Sequence, residues 1–173
     1  GAGVRGGVDG KLVEVLRDDD ASCRVVVDGR TIATFTVVDQ LRAAGDRAVL
    51  TGAGVEQGRL AERIASAVPG VVNLSGRLTF DEFRGVIAGA RLVLSVDTVA
   101  MHLAAASRAP CVALMTAMDD PARWRPLSDT ATPLWHAVPC APCYRSRGCA
   151  HMACVRGITP AAVLRAADVF SKP

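Results

Sequence analysis

The sequence has few aromatic residues, few lysines and no long apolar run, and each shortage excludes a class of protein. Phe, Tyr and Trp make up 4% of its 173 residues, which argues against the aromatic-rich core of a β-sandwich. Lys11 and Lys172 are the only lysines, and the net charge of +3 is too scattered to predict nucleic acid binding. No apolar run approaches the roughly 20 residues that span a bilayer, and no charged-then-apolar leader opens the chain. We expect a soluble, intracellular protein.

Small apolar residues are abundant, and they occur in segments that alternate between strand and helix patterns. Half of the residues are apolar, which is enough for the core of one domain. Buried-type strands such as "RLVLSV" and "CVALM" alternate with helical patterns, which we place from Phe35 to about Gly45, at residues 55–68 and from Thr98 to Ser107. Strands separated by such helices pair in parallel. We predict an α/β fold, a Rossmann-like parallel sheet with flanking helices, as a single domain over residues 1–173. Near the start, "KLVEVL" and "CRVVVDG" allow a hairpin.

The stretch "SVDTVAMHLAAASRAP", residues 95–110, is the first candidate for chemistry. A strand ends at Asp97-Thr98, and the helix that follows carries His102 one turn later. Ligands of parallel sheets bind beyond the carboxyl ends of strands, so the Thr98 and Val99 amides are candidates for a phosphate and Asp97 for a sugar hydroxyl. The same residues fit a capped core helix with one satisfied histidine. Neither GxGxxG before a clear helix nor GxxxxGK[ST] is present to decide between the two interpretations.

Four cysteines lie within fifteen residues: Cys140, Cys143, Cys149 and Cys154. With His136 and His151 close by, this set is sufficient for a tetrahedral zinc site. The spacing of the second pair departs from the paired CxxC of a zinc ribbon, and an intracellular setting disfavours structural disulfides. Two interpretations stay open: a zinc site formed by the four cysteines, or reduced thiols that pack within the loop.

Several long stretches, in order, carry a resemblance to a known family. "GARLVLSVDTVAMHLAAASRAPCVAL", "DDPARWRPL" and "PCAPCYRSRGCAHMACVRGITPAAVL" resemble the C-terminal half of bacterial heptosyltransferases, the ADP-heptose:lipopolysaccharide glycosyltransferases of family nine. Upstream, "LRAAGDRAVLTGAGVEQGRLAERI" and "VVNLSGRLTFDEFRGVIAGA" are similar to the preceding strand-helix units of that domain. The resemblance covers about residues 35–170 and leaves residues 1–34 unmatched.

The resemblance implies the GT-B architecture, two Rossmann-like domains that face each other across a cleft, of which this chain is the donor-binding half. It implies a nucleotide diphosphate sugar similar to ADP-heptose as the donor, with no cofactor required. By residue matching, Glu56 would contact the ribose and Leu78 would lie near the base. The diphosphate and sugar end of the donor would be lined by Asp97, Thr98, Val99 and His102.

The resemblance also implies that part of the reaction is performed by another domain. The complete enzyme would transfer a heptose-like sugar to a lipopolysaccharide-type acceptor with inversion, and its general base belongs to an N-terminal acceptor domain. We expect that domain to be missing here, so this chain alone should not turn over. We expect no catalytic residue within it. The expected location is the bacterial cytoplasm, at the inner face of the inner membrane, with peripheral membrane contact through the acceptor.

Two positions depart from the family pattern and favour an alternative function. Val99 stands where the family usually has glycine, and its branched side chain can obstruct the approach of a phosphate. Met115-Thr116 replaces the expected aromatic-glycine pair after the next strand. The alternative is a degenerate, non-catalytic nucleotide-binding or assembly module that carries a cysteine-rich zinc loop.

Overall fold

The computed structural model describes residues 4–8, 11–17, 23–27, 30–35, 48–145, 149 and 151–170. Contacts divide the chain into two units, Gly1–Phe80 and Asp81–Pro173. The single domain expected over residues 1–173 stays a prediction. In the described parts of the chain, no helix has both the length and the apolar character needed to cross a membrane.

The first unit begins with an antiparallel sheet of four strands in the order β1-β2-β3-β4. The strands are β1 (Val4–Val8), β2 (Lys11–Arg17), β3 (Cys23–Val27) and β4 (Arg30–Phe35). The hairpin that two apolar stretches allowed corresponds to β2 and β3, which pair from Val13↔Val27 to Arg17↔Cys23. The helix expected from Phe35 is wrong at its start, because Phe35 is the last residue of β4. The rest of that helix lies outside the described residues.

The first unit continues with two short parallel strands joined by a helix, as the alternating pattern predicted. They are β5 (Val49–Leu50), α1 (Val55–Ala67) and β6 (Val72–Asn73). Gly54 caps the start of α1 at φ +87°, a left-handed conformation that glycine adopts without steric cost. The expected helix at residues 55–68 is confirmed to within one residue.

The second unit contains a parallel sheet in the order β7-β8-β9, with helices between and after its strands. Its described elements are α2 (Phe80–Ala88), β7 (Val93–Val96), α3 (Val99–Ser107), β8 (Cys111–Met115), α4 (Pro121–Trp124), β9 (Ala131–Trp135), α5 (Ala153–Arg156) and α6 (Pro160–Asp168). Strand, helix and parallel strand alternate here as the sequence predicted. The α/β class and the parallel pairing are confirmed.

The core of the second unit lies between α3 and the two strands that flank it in sequence. The central strand, β8, is buried along almost its whole length, which explains why its sequence is continuously apolar rather than alternating. Met101 of α3 is 0% exposed and packs in this core, and Ala104, one turn later, is also fully buried. Small side chains at such positions allow a helix to pack closely on a sheet.

Because Cys111 is buried, the stability of the protein should decrease at alkaline pH. Cys111 is 0% exposed, and desolvation raises the pKa of its thiol from 9.0 to about 11. Unfolding returns the pKa to 9.0, so the stabilisation is complete below that pH and is lost as the pH rises towards 11. We expect the contribution of Cys111 to the free energy of unfolding to fall by about 1 kcal/mol between about pH 8 and about pH 10.

Denaturant titrations at the two pH values measure this loss. Cys111→Ala has no thiol at the site and is the control, because all other titrating groups are shared. The alkaline loss should be smaller in the variant by the stated amount. An equal loss in both proteins would contradict the assignment to Cys111.

Candidate functional site

Asp97 lies at the carboxyl edge of the parallel sheet of the second unit, where hydrogen bonds from Thr116 hold its carboxylate. Its Oδ2 accepts two hydrogen bonds from Thr116, one from the backbone N–H at 3.0 Å and one from the hydroxyl at 2.6 Å. Thr116 directly follows β8, so the two residues meet because parallel strands end at the same edge. Both bonds end on Oδ2. Among the described residues Oδ1 accepts none, and it is therefore available to a ligand.

The start of α3 lies directly beside Asp97. Thr98 is its N-cap residue, in extended conformation, but its hydroxyl makes no cap hydrogen bond and instead lies 3.1 Å from the Ser95 hydroxyl. The Thr98 amide donates to the Val96 carbonyl at 2.7 Å. The amide is thus already hydrogen-bonded within the turn, and the expectation that it receives a phosphate stays a prediction. Val99 and Ala100 are the first helical residues, and their N–H groups precede the first intrahelical bond.

The side chain of Val99 stands at this helix start and is 52% exposed. A ligand anion that approaches the Val99 amide must pass close to its Cβ and two methyl groups. Among the described residues, Val99 does not belong to the buried core cluster. The departure from glycine therefore changes the surface of the site rather than the packing beneath it.

His102 lies one turn into α3 and is half-buried against an aromatic side chain. Its ring centroid is 5.3 Å from that of Trp124, and the two rings are nearly perpendicular at 87°. Trp124 ends α4 and is itself 46% exposed. His102 is therefore only partly buried, and both interpretations of it, ligand contact and satisfied histidine of a core helix, stay predictions. The contact orients its imidazole while leaving part of the ring accessible.

The other two residues that the resemblance implied lie in the first unit. Glu56 is in the first turn of α1, is exposed, and has a carboxylate oxygen 3.7 Å from a guanidinium nitrogen of Arg59. Leu78 is half-buried in the segment between β6 and α2. Asp97, Thr98, Val99 and His102 lie together in the second unit. A shared site that also contains Glu56 and Leu78 stays a prediction.

The four clustered cysteines line one cavity within the second unit. The cavity has a volume of about 310 Å³ and is lined by Cys140, Cys143, Cys149, Cys154, Ala117, Arg145 and His151. All four cysteines are free thiols. Over the described part of the chain, no three His, Cys, Asp or Glu side chains are close enough together to hold an ion as they are placed. The four cysteines, which are close in sequence, therefore line one cavity. As they are placed, their sulfurs do not form a closed coordination sphere.

A protein-family model matches most of the chain, including the end of β7 and the start of α3. The model of glycosyltransferase family 9 (heptosyltransferase) matches residues 35–152, well over half of the chain. The chain belongs to glycosyltransferase family 9. The resemblance on which the sequence analysis relied is confirmed.

Known proteins of family 9 are similar to this chain in sequence and in fold. Lipopolysaccharide heptosyltransferase 3 of Escherichia coli is 37% identical over 103 residues, which cover 57% of this chain and 30% of that protein. The solved structure of the E. coli ADP-heptose lipopolysaccharide heptosyltransferase II matches with a TM-score of 0.63 and 25% identity over 77% of this chain and 38% of that one. A family 9 glycosyltransferase from Veillonella parvula has a TM-score of 0.64 at 18% identity, over 78% of this chain and 39% of its own, and supports the fold alone. The chain thus spans between 30% and 39% of the length of these relatives.

Two residues of this family 9 chain contribute to the site although the sequence analysis did not assign them to it. Thr116 fixes Asp97, and Trp124 contacts His102. The rule that drew attention to Asp97, a polar residue directly after an apolar strand, applies equally to Thr116 after "CVALM". Trp124 had no comparable signal, since a lone tryptophan in a proline-containing segment is also explained by local packing.

Proposed function

We propose that this chain is the donor-binding part of a glycosyltransferase that transfers a heptose-like sugar from a nucleotide diphosphate sugar to a lipopolysaccharide-type acceptor. The observation that carries the proposal is the fixed Asp97 carboxylate, held by Thr116 beside the start of α3. Membership of glycosyltransferase family 9 supports the reaction class. The names of the two E. coli relatives, which specify lipopolysaccharide and, for one, ADP-heptose, support the choice of donor and acceptor.

In the proposed complex the donor diphosphate lies against the start of α3. The Val99 and Ala100 amides and the positive end of the helix dipole attract an anion without a metal ion or other cofactor. Asp97 carries negative charge and would repel the diphosphate, so its free Oδ1 is assigned to a sugar hydroxyl. His102 then acts as a donor to the diphosphate, with Trp124 fixing the plane of its ring.

The nucleoside of the donor is assigned to the first unit. A carboxylate can accept both ribose hydroxyls, which is the role proposed for Glu56. Its contact with Arg59 is exposed and 3.7 Å long, and such a pair is weak enough to give way to a ligand. Leu78 offers an apolar contact to the base. These two assignments rest on residue matching to the family.

The reaction itself is a direct displacement at the anomeric carbon. An acceptor hydroxyl oxygen forms the new bond to this carbon, the bond to the diphosphate oxygen breaks, and the nucleoside diphosphate leaves with the electron pair. The charge that develops on the leaving diphosphate is stabilised by the start of α3. The acceptor's proton passes to a general base, which the resemblance to the family assigns to an acceptor domain. For the residues of this chain we propose binding of the donor.

The acceptor also determines where we place the protein. A lipopolysaccharide-type acceptor under construction is anchored in lipid, and a nucleotide sugar is a cytoplasmic metabolite. We propose the cytoplasmic face of the bacterial inner membrane as the site of action. The lipopolysaccharide named for the relatives supports this placement.

A second function is favoured by one observation, the exposed Val99 side chain at the start of α3. If it blocks the diphosphate, the chain is a non-catalytic module that keeps the fold and serves in assembly. The fixed Asp97 and the accessible His102 argue for the first function, because a module without a ligand has no need of either.

Calorimetric titration of the chain with ADP-heptose tests the proposed function. We expect weak binding to the unchanged protein and an at least tenfold loss of affinity in Asp97→Ala, because the sugar hydroxyl loses its acceptor and Thr116 loses its hydrogen-bond partner. Asp129→Ala is the matched control. Asp129 is an exposed carboxylate just before β9, at the opposite edge of the sheet, and its pair with Arg108 is exposed on both sides.

Each result of the titration has a defined meaning. Equal heats from the unchanged protein and from Asp97→Ala contradict the assignment of the site. No binding by the unchanged protein, with binding restored in Val99→Gly, supports the non-catalytic module. Tighter binding in Val99→Gly than in a chain that already binds supports a donor site whose affinity is reduced by the valine.

A further inference from the structure

Four cysteines that the proposed transfer reaction does not use come together in one part of the second unit. Cys140, Cys143, Cys149 and Cys154 are all free thiols and all line the same cavity of about 310 Å³. They come from three separate places in the chain, a loop after β9, the single described residue 149 and the helix α5. We propose that this cavity is a structural zinc site with these four thiolates as its ligands.

Cys149 is held in place by contacts to its sulfur. The backbone N–H of Met152 donates to its Sγ at 3.4 Å. The ring of His151 lies beside the same sulfur, with Nδ1 at 3.7 Å and Nε2 at 3.8 Å. These contacts fix the position of the sulfur at the cavity.

His151 is a supporting residue of this site rather than a fifth ligand. Its Nδ1 accepts a hydrogen bond from the backbone N–H of Ala153 at 3.3 Å, so the lone pair of this nitrogen is already engaged. The ring lies beside the Cys149 sulfur and can make a hydrogen bond to it. Such a hydrogen bond to a ligand orients it and tunes the metal site.

The charge of the cavity is suited to a thiolate cluster. Zinc bound by four thiolates carries a net charge of −2, which is costly to desolvate without a nearby cation. Arg145 lines the cavity and supplies a positive charge. This set of soft sulfur ligands with no carboxylate among the lining residues favours zinc over calcium or magnesium, which bind oxygen.

The cavity is wider than a coordination sphere, so the four sulfurs must approach one another when zinc binds. Among the residues that the structure describes, no three potential ligands converge on one point. A metal site rarely exists preformed without its ion, because the thiols lose their protons and the ligands come together only on binding. Zinc–sulfur bonds of about 2.3 Å would draw the four sulfurs inwards.

The proposed zinc site has a structural consequence for the loop after β8. The Cys143 amide donates to the Ala117 carbonyl, and the Tyr144 amide donates to the Met118 carbonyl, both at 2.9 Å. The cysteine loop is therefore docked on the two residues that follow in sequence after Thr116. A metal that closes the loop would fasten this segment at the edge of the sheet. The inference does not depend on which donor the enzyme uses.

Metal analysis of the full chain, purified without chelators, tests the proposal. We expect one zinc per chain by elemental analysis, and one-to-one binding when the metal-free protein is titrated with zinc against a chromogenic chelator. Cobalt is a spectroscopic probe of the same site. Its substitution should produce a thiolate-to-cobalt charge-transfer band and the intense visible bands of a tetrahedral ion.

Matched serine variants locate the site. Cys149→Ser should weaken zinc binding at least about 100-fold, whereas Cys23→Ser, the same chemical change outside the loop, should leave it unchanged. His151→Ala should keep the stoichiometry and weaken binding about 10- to 100-fold, as expected of a residue that supports a ligand. A loss of stoichiometry in His151→Ala would overturn the assignment of four cysteine ligands.

Other outcomes overturn the site as a whole. They are the absence of stoichiometric zinc and of cobalt–thiolate bands in the unchanged chain, the chromophore of an iron–sulfur cluster, or equal zinc affinity of Cys149→Ser and Cys23→Ser. If Cys149→Ser does not fold, thermal unfolding of the unchanged chain decides. A chelator should lower its Tm and added zinc should restore it, and a Tm that a chelator leaves unchanged would also overturn the proposal.

Discussion

Truncation of Met101 to alanine is expected to lower the free energy of unfolding by about 2–5 kcal/mol. Met101 is 0% exposed and is one of the largest fully buried side chains of the described residues. It packs with Ile87, Val93 and Met115 in the core beneath α3. Alanine would leave a cavity there, because a helix docked on a sheet through small residues cannot move inwards far enough to fill it. Denaturant unfolding of both proteins measures the difference.

Leu94→Ala is the matched control for this substitution. Leu94 lies in β7, which packs against α3, and the change removes a side chain of similar size, but Leu94 is 41% exposed. We expect the control to lose about 1 kcal/mol. Similar losses in the two variants would show that the core of the second unit is not centred on Met101. Val99 and His102 also lie on α3. Looser packing of this helix should therefore weaken the binding of any ligand that contacts them.

The parallel sheet of the second unit could be predicted from sequence because its signals are local. The strand "CVALM" is apolar at every position since both of its faces are buried, and this pattern alone identifies a central strand. Threonine followed by proline is a common sequence at the start of a helix, and α6 begins at Pro160 directly after Thr159. The Thr159 hydroxyl accepts a hydrogen bond from the Ala162 amide, as expected of an N-cap residue. In each case the residues that decide the structure are only a few positions apart.

The beginning of the chain was predicted less well for a related physical reason. Strand pairing depends on partners that are distant in sequence, and β1 and β4 carry glycine, arginine and threonine where a strong alternating pattern would be needed. Phe35 fits helical spacing with Val38 and Leu41, yet it ends β4. Local periodicity cannot distinguish these outcomes when the strand that pairs with the segment is not itself recognised.

At the candidate site, sequence placed Asp97 at a strand end but gave no hydrogen-bond partner for it. Asp97 directly follows β7, whereas its bond to Thr116 joins residues 19 positions apart. The Thr98 amide, which was expected to contact a ligand, donates to the Val96 carbonyl within a tight turn. Hydrogen bonds of this kind follow from the path of the backbone at a strand end, which no spacing rule specifies.

Replacement of Thr116 by valine is expected to weaken ADP-heptose binding about tenfold and to lower the free energy of unfolding by about 1–3 kcal/mol. Valine has the shape of threonine but lacks the hydroxyl. That hydroxyl donates to Asp97 Oδ2 at 2.6 Å and accepts from the Met118 amide at 3.3 Å, so both partners lose a hydrogen bond at once. The remaining bond, from the Thr116 amide, holds Oδ2 but no longer prevents the carboxylate from rotating.

Thr116→Ser separates the hydroxyl from the rest of the side chain and is the variant that decides the role of Thr116. Serine can make the same bonds, so we expect ADP-heptose affinity close to that of the unchanged protein even if the loss of a methyl group lowers the Tm slightly. Thr116→Val should instead lose affinity even at temperatures where it is fully folded, because the carboxylate that accepts the sugar hydroxyl is no longer oriented. Equal ADP-heptose affinity in the valine and serine variants would mean that Asp97 needs no positioning by Thr116, and a donor site built on their contact would then be excluded.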